Sequence, residues 1–167
     1  MVAIRPPTSE DIPQIAELDK EVFTSLSYPG VVIRQLYEVA GPLLNLAVDG
    51  PHIVGYAMVL PTVTAGEGWF MSLAVTSRFR NRGVGRTLLE YTLDRCHEFG
   101  LLCIWLTVAP ANSCAFRLYT SLGFVEHDRI ANYFGDGEDR ILLARVASGP
   151  AGSGCDAARA STGIAMR

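Results

Sequence analysis

Lysine is nearly missing from this 167-residue chain: Lys20 is the only one among 14 basic residues, and the other thirteen are arginine. Basic residues are outnumbered by 17 acidic ones, for a formal net charge of −3, so there is no global positive field to select nucleic acid. Long hydrophobic runs are absent too. The longest, around Leu101–Val108, falls far short of the ~20 residues that cross a bilayer. The first fifteen residues mix charge, proline and isolated apolar positions, unlike a signal peptide. These absences predict a soluble, cytoplasmic protein with no nucleic-acid and no membrane partner. The four cysteines, Cys96, Cys103, Cys114 and Cys155, form no CxxC pair and have no histidine at zinc spacing. Neither a disulfide framework nor a metal site is predicted.

What is present suits one domain with one core: 49% of the residues are hydrophobic and 19% charged. Ala3–Arg5 reads as a short strand that Pro6-Pro7 ends. Capping residues at Thr8–Asp11 then open a helix whose apolar positions Ile12, Ile15, Leu18 and Val22 run down to Phe23. A second helix is predicted over Val31–Ala40. Leu43–Val48 and Ile53–Leu60 read as a hairpin closed by Asp49-Gly50, and Thr62–Gly68 as a loop. Trp69–Val75 is the next strand, followed by a helix from Val84 that Gly100 closes. Leu102–Val108 reads as a central parallel strand, apolar on both faces. The pattern ends with a helix over Ser113–Leu122 and strands over Phe124–Arg129 and Asp139–Val146. The composition changes at residue 148. A domain over 1–147 and a flexible Gly/Ala/Ser-rich tail over 148–167 are expected.

Four of the thirteen arginines, Arg78, Arg80, Arg82 and Arg86, fall within nine residues. Codon bias explains a total but not a position. The run Arg80-Asn81-Arg82-Gly83-Val84-Gly85-Arg86-Thr87 stands where a strand turns into a helix, so first-turn N–H groups and the positive end of the helix dipole favour a phosphate there. Guanidinium groups add bidentate anion contacts. A Walker loop fails because Arg86 stands where lysine is required, and a dinucleotide fingerprint fails because Leu88 takes the place of its third glycine. A plain glycine turn under solvated arginines stays open on this motif alone.

A second motif follows: Asn112, Ala115, Leu118, Tyr119, Gly123 and Phe124 in the spacing NxxAxxLYxxxGF. On a helix Ala115, Leu118 and Tyr119 share a face, with Asn112 at its start. With the arginine-glycine loop upstream, this pattern resembles the GNAT superfamily of acetyl-CoA-dependent N-acetyltransferases, partly its protein N-terminal branch, over roughly residues 3–146. The resemblance implies an α/β fold of mixed type. Its three layers would be helices on both faces of a mostly antiparallel sheet, splayed between the fourth and fifth strands, with acetyl-CoA in the gap. By matching position, Arg80–Arg86 and Thr87 would hold the pyrophosphate. Leu73, Ala74 and Val75 would pair with pantetheine, and the Leu73 amide would polarise the thioester carbonyl. Asn112 and Ala115 would help fix the cofactor, and Tyr119 would protonate the departing thiolate. Read bare, Asn112 is also a plain helix cap and Tyr119 a core tyrosine.

The cofactor motifs leave one demand unmet, because direct transfer requires a neutral amine and a lysine-like amine has a pKa of ~10.4. In the protein N-terminal acetyltransferases a glutamate or histidine stands mid-strand before the asparagine; here that position is Thr107, which is no base. Glu67, two residues before Trp69 and on the same strand face, is the replacement; a surface glutamate in a glycine loop is the competing reading. His97, His127, Glu138 and Asp139 are weaker candidates. Tyr28 and Tyr133 would wall the acceptor site, with Thr107 beside them and Glu138 offering charge to a cationic amine. The expected activity is direct acetyl transfer to a primary amine, preferentially of a small molecule because Thr107 replaces the base. A peptide N-terminus or lysine is the alternative, and a non-catalytic acyl-CoA sensor the second. A homodimer is compatible with the resemblance.

Overall fold

A computed structural model describes residues 1–147; the tail expected over 148–167 lies outside the described residues. The strands are β1 (Ala3–Arg5), β2 (Leu44–Asp49), β3 (His52–Pro61), β4 (Glu67–Val75), β5 (Cys103–Val108), β6 (Val125–Ile130) and β7 (Arg140–Val146). The helices are α1 (Ile12–Phe23), α2 (Gly30–Ala40), α3 (Val84–Glu98) and α4 (Ser113–Ser121). The strands form one sheet in the order β1-β2-β3-β4-β5-β7-β6. Pairing is mostly antiparallel, and β4 with β5 is parallel over Glu67↔Cys103, Gly68↔Ile104 and Trp69↔Trp105. This is the mixed α/β architecture that the motifs imply. The strand expected to be a central parallel one is parallel to β4 alone and antiparallel to β7.

The chain divides into two compact units. In the first, Met1–Pro61 with Phe70–Gly100, α1 and α2 bury Ile12, Ile15, Leu18 and Ile33 against Leu44, Leu46, Tyr56 and Met58 of β2 and β3. Gly55 faces the other way, since neighbours along a strand alternate. A Cβ there would meet the Ala74 carbonyl at 2.8 Å and Leu88 of α3 at 3.5 Å, so the absence of a side chain lets β3 approach β4 and α3. Helix α3 is amphipathic at this spacing, with Val84, Leu88, Leu89, Leu93 and Cys96 buried.

One surface contact pins the amino-terminal strand. The Arg5 guanidinium donates to both oxygens of Asp11, at 2.7 and 2.8 Å, and the Thr8 amide adds a third bond at 2.7 Å. Held chiefly by Arg5, the Asp11 carboxyl is lowered to about 2. A depressed folded-state pKa stabilises above the ordinary carboxylate range and is lost as pH falls through the folded value. Asp11→Asn is therefore expected to lower urea-unfolding stability by about 1–2 kcal/mol at neutral pH, discounted for the partial exposure of Arg5. The difference from the native chain should close between pH ~4 and ~2. A constant difference across that window would remove the ion pair as its cause.

The second unit comprises Thr62–Trp69 and the described residues from Leu101 onward. Its core packs Cys103, Trp105, Leu142 and Ala144 with Trp69 and Ile130. Here β4 begins at Glu67, two residues earlier than the Trp69 start expected from sequence. The amides of Leu102 and Cys103 donate to the Gly66 carbonyl at 2.8 and 3.0 Å. Tertiary pairing thus makes strand of a glycine-rich stretch that reads as loop. Cys96 and Cys114 are in no disulfide, while Cys103 is disulfide-bonded, one bond where the cysteine spacing predicted none. Among the described residues no helix is long and apolar enough to cross a membrane.

Candidate active site

The first unit carries the arginine-glycine loop. Ala74 is buried and its neighbours Leu73 and Val75 are half-buried. After β4 a short 3-10 turn, Ser77–Phe79, leads to Asn81 and Gly83, whose φ angles of +59° and +81° reverse the chain into α3. Gly83 is the N-cap, and no side chain among the described residues caps the helix. The first intrahelical bond runs from Thr87 N–H to the Gly83 carbonyl, 3.0 Å, so the amides of the opening turn point outward as an uncapped helix start must leave them. A Cβ built at Gly83 meets nothing within 4 Å.

The flanking arginines are exposed and held by contacts of different kinds. Arg80 Nε donates to the Val75 carbonyl at 3.2 Å, Arg82 lies over the Phe79 ring at 5.6 Å, and Arg86 pairs with Glu90 at 3.1 Å. An open, positive, uncapped helix start of 15 residues fits a pyrophosphate: the fixed amides supply donors and the arginines supply charge without a competing cap. Tyr28 is also in this unit, half-buried against the α1–α2 core.

The second unit holds the remaining candidates. Tyr119 is buried in α4, and its ring meets Phe124 edge-on, with centroids 5.7 Å apart and planes at 63°. Burial pushes its phenol well above the ordinary value, so it stays a neutral O–H donor throughout the working range. Asn112 is exposed and accepts the Ala115 N–H at 3.1 Å, which makes it the N-cap of α4 whatever else it does. Ala115 is half-buried one turn before Tyr119.

Glu67 is only 5% exposed and lies in β4, not in a surface loop. The parallel register sets Glu67 beside Cys103 and Trp69 beside Trp105, and Thr107, half-buried, continues that face of β5. Trp105 is fully buried and meets the exposed His127 ring edge-on at 5.0 Å.

The segment between β6 and β7 is tied to itself. The Asn132 amide donates to Asp139, the Gly137 amide to the Asn132 side chain, and the buried Arg140 to Glu138 at 3.0 Å. Arg140 also lies 4.8 Å over the Phe134 ring, which meets Tyr133 edge-on at 4.7 Å. Glu138, expected to offer charge to a cationic amine, already neutralises Arg140. Burial raises the Tyr133 phenol and Arg140 partly opposes it.

Three residues were missed by sequence reasoning. Trp105 and Arg140 gave no signal beyond their strands. Asp19 did: it lies one turn past Ile15, on the apolar stripe of α1, where a lone carboxylate is out of place.

An N-alpha-acetyltransferase of Sulfurisphaera tokodaii is 31% identical over 147 residues, 80% of this chain and 86% of that protein. An uncharacterized N-acetyltransferase of Methanocaldococcus jannaschii is 31% identical over 144 residues, 85% of this chain and 90% of that one. A ribosomal-protein bS18 alanine N-acetyltransferase of Salmonella typhimurium is 36% identical over 91 residues, 53% of this chain; the match spans 62% of that enzyme's length. Among solved structures, Ard1 from Thermoplasma volcanium superposes with a TM-score of 0.80 at 26% identity, covering 89% of this chain and 99% of that one. The model of the acetyltransferase (GNAT) family matches residues 12–124, more than half of the sequence, and the chain belongs to that family.

Proposed function

We propose that this protein transfers the acetyl group of acetyl-CoA to the N-terminal α-amine of a peptide or protein. The observation that carries the cofactor half is the uncapped α3 N-terminus at Gly83, ringed by Arg80, Arg82 and Arg86. Bound acetyl-CoA supplies an acetyl thioester. Arg80, Asn81, Arg82, Gly83, Val84, Gly85, Arg86 and Thr87 hold its pyrophosphate, and Leu73, Ala74 and Val75 offer backbone to its pantetheine. The Leu73 amide polarises the carbonyl, and the Tyr119 hydroxyl, which burial keeps protonated in the resting enzyme, gives its proton to the departing sulfur and regains one from solvent before the next turnover. Glu67, buried on the Trp69 face of β4, accepts the proton that the amine loses as the amide bond forms.

Thr107 decides the acceptor. Without a base on β5 the amine must arrive largely neutral by itself. An α-amino group, with a pKa of ~7.7–8.0, is about 30% neutral at pH 7.5, whereas a lysine-type amine at ~10.4 is about 0.1% neutral. That difference of roughly 200-fold favours an α-amine over an ε-amine without any further machinery. The names of the archaeal and bacterial relatives point the same way, against the preference for small molecules that Thr107 first suggested. The test compares kcat/KM for a peptide with a free N-terminus against the same peptide blocked at its N-terminus and carrying an internal lysine. A preference of at least ~100-fold for the free terminus is expected at pH 7.5. Equal rates, or faster turnover of free small amines than of any peptide, would return the acceptor to the small-molecule class. Acetyl-CoA binding with no release of free CoA thiol for any amine would leave a sensor.

A further inference from the structure

A buried carboxylate in the first unit has no part in the chemistry above. Asp19 of α1 is 0% exposed. Its Oδ1 accepts the Tyr56 hydroxyl of β3 at 2.5 Å, and its Oδ2 accepts the Tyr28 backbone N–H at 2.6 Å. Both donors are neutral, and none of the ion pairs among the described residues includes Asp19. Burial raises the Asp19 carboxyl above its ordinary range, and the two hydrogen bonds only partly oppose it. A carboxylate buried without a cation is costly, and as a mere filler between helix and strand an apolar side chain would serve better.

What Asp19 holds is the short non-helical stretch Ser27–Pro29 between α1 and α2. The other main-chain bonds of that stretch, and the Ser27 hydroxyl, are local: the Ser27 amide and hydroxyl both donate to the Thr24 carbonyl, at 3.3 and 2.7 Å, and the Pro29 carbonyl caps the first turn of α2. The bond from Tyr28 to Asp19, nine residues back, is the backbone tie of the stretch to the core, beside the packing of the Tyr28 ring and the bond of its phenol with Ser72. Tyr56 in turn locks the carboxylate from the sheet side. Ser72, on β4 one residue before Leu73, acts on the phenols of both Tyr28 and Tyr56. One polar cluster therefore joins α1, the Tyr28 stretch, β3 and the strand proposed to carry the thioester.

We infer that Asp19 is a positioning residue for the acceptor: by fixing the Tyr28 backbone it sets the wall against which the incoming amine lies. The inference rests on the proposed transferase reading. Asp19→Ala leaves the Tyr28 N–H and the Tyr56 hydroxyl without their shared acceptor. Asp19→Asn keeps both links, because its carboxamide oxygen accepts the Tyr28 N–H and its NH2 donates to a Tyr56 hydroxyl turned round to accept.

The test measures KM for the peptide acceptor and for acetyl-CoA separately in both variants, with acetyl-CoA affinity by calorimetry. Asp19→Ala is expected to raise acceptor KM about tenfold with kcat and acetyl-CoA affinity little changed, and Asp19→Asn to restore it to within about threefold. Should Asp19→Ala not fold, amide hydrogen exchange in the native chain takes its place: the Tyr28 N–H is expected to be protected at least ~1000-fold, as deep core amides are. Unchanged acceptor KM in Asp19→Ala, equal damage in both variants, equal loss toward both substrates or a rapidly exchanging Tyr28 amide would overturn the inference. Lack of acetyl-CoA binding by the native chain would instead overturn the transferase reading itself, and this inference with it.

Discussion

Tyr119→Phe is expected to lower kcat about 100-fold, at the low end of what a positioned general acid supplies, while acetyl-CoA affinity and thermal stability stay near native. The reasoning begins with burial. The phenol of Tyr119 is pushed far above neutrality, so in the resting enzyme at working pH it carries its proton and stands ready to donate it. A thiolate leaving a carbonyl carries its charge until a proton arrives, and a neutral donor in a dry site delivers one at little reorganisation cost. Phenylalanine keeps the edge-on contact with Phe124 and fills the same volume in α4, so a fall in kcat without a fall in melting temperature isolates the hydroxyl. Native turnover in Tyr119→Phe would make this residue a core tyrosine, the reading that its sequence position alone left open. A matched loss of stability and activity would say the same.

The parts of the fold that announced themselves in the sequence were those with local causes. Gly83, followed by apolar positions at helical spacing, marks the α3 start because positive φ and amphipathic repeat are both written within one turn. Asn112 and Ala115 mark α4 in the same way, through a cap three residues long. The loop read over Thr62–Gly68 missed the start of β4 at Glu67 for a non-local reason. Flanked by Gly66 and Gly68 it has loop composition, and only the bonds from Leu102 and Cys103 to the Gly66 carbonyl draw it into β4 and bury it. That change matters to the chemistry, since a buried strand carboxylate is a far better base candidate than a solvated loop one.

The same logic separates Asp19 from Glu138. Asp19 broke the apolar stripe of α1 visibly, but its donors come from nine and 37 residues away, so its purpose could be read only from tertiary contacts. Glu138 looked available as a counter-charge until Arg140, two residues on and buried, was seen to use it. Charge spacing along a strand says which side chains share a face; it does not say which of them are already paired.

The arginine-glycine loop gives the second large effect. Replacing Arg82 and Arg86 together by alanine is expected to weaken acetyl-CoA binding about 30–100-fold, from roughly 1 kcal/mol or more for each charged contact at a solvated anion site. The loss should shrink as salt rises, because screening removes from the native chain what the substitutions remove from the variant. Gly83→Ala tests the backbone half of the same cradle. With φ at +81° and open space around a built Cβ, alanine strains the turn by about 1–2 kcal/mol without clashing with the protein. Its methyl group stands instead where a phosphate would approach the uncapped amides. Affinity for acetyl-CoA should therefore fall by more than the strain alone accounts for, and free inorganic pyrophosphate should cease to compete. If the arginine pair matters and Gly83→Ala does not, the loop attracts the cofactor by charge alone and the helix start is idle. If both matter, the anion is held by amides that point outward because no side chain among the described residues caps them, and the arginine skew of the composition is the outer part of that one site.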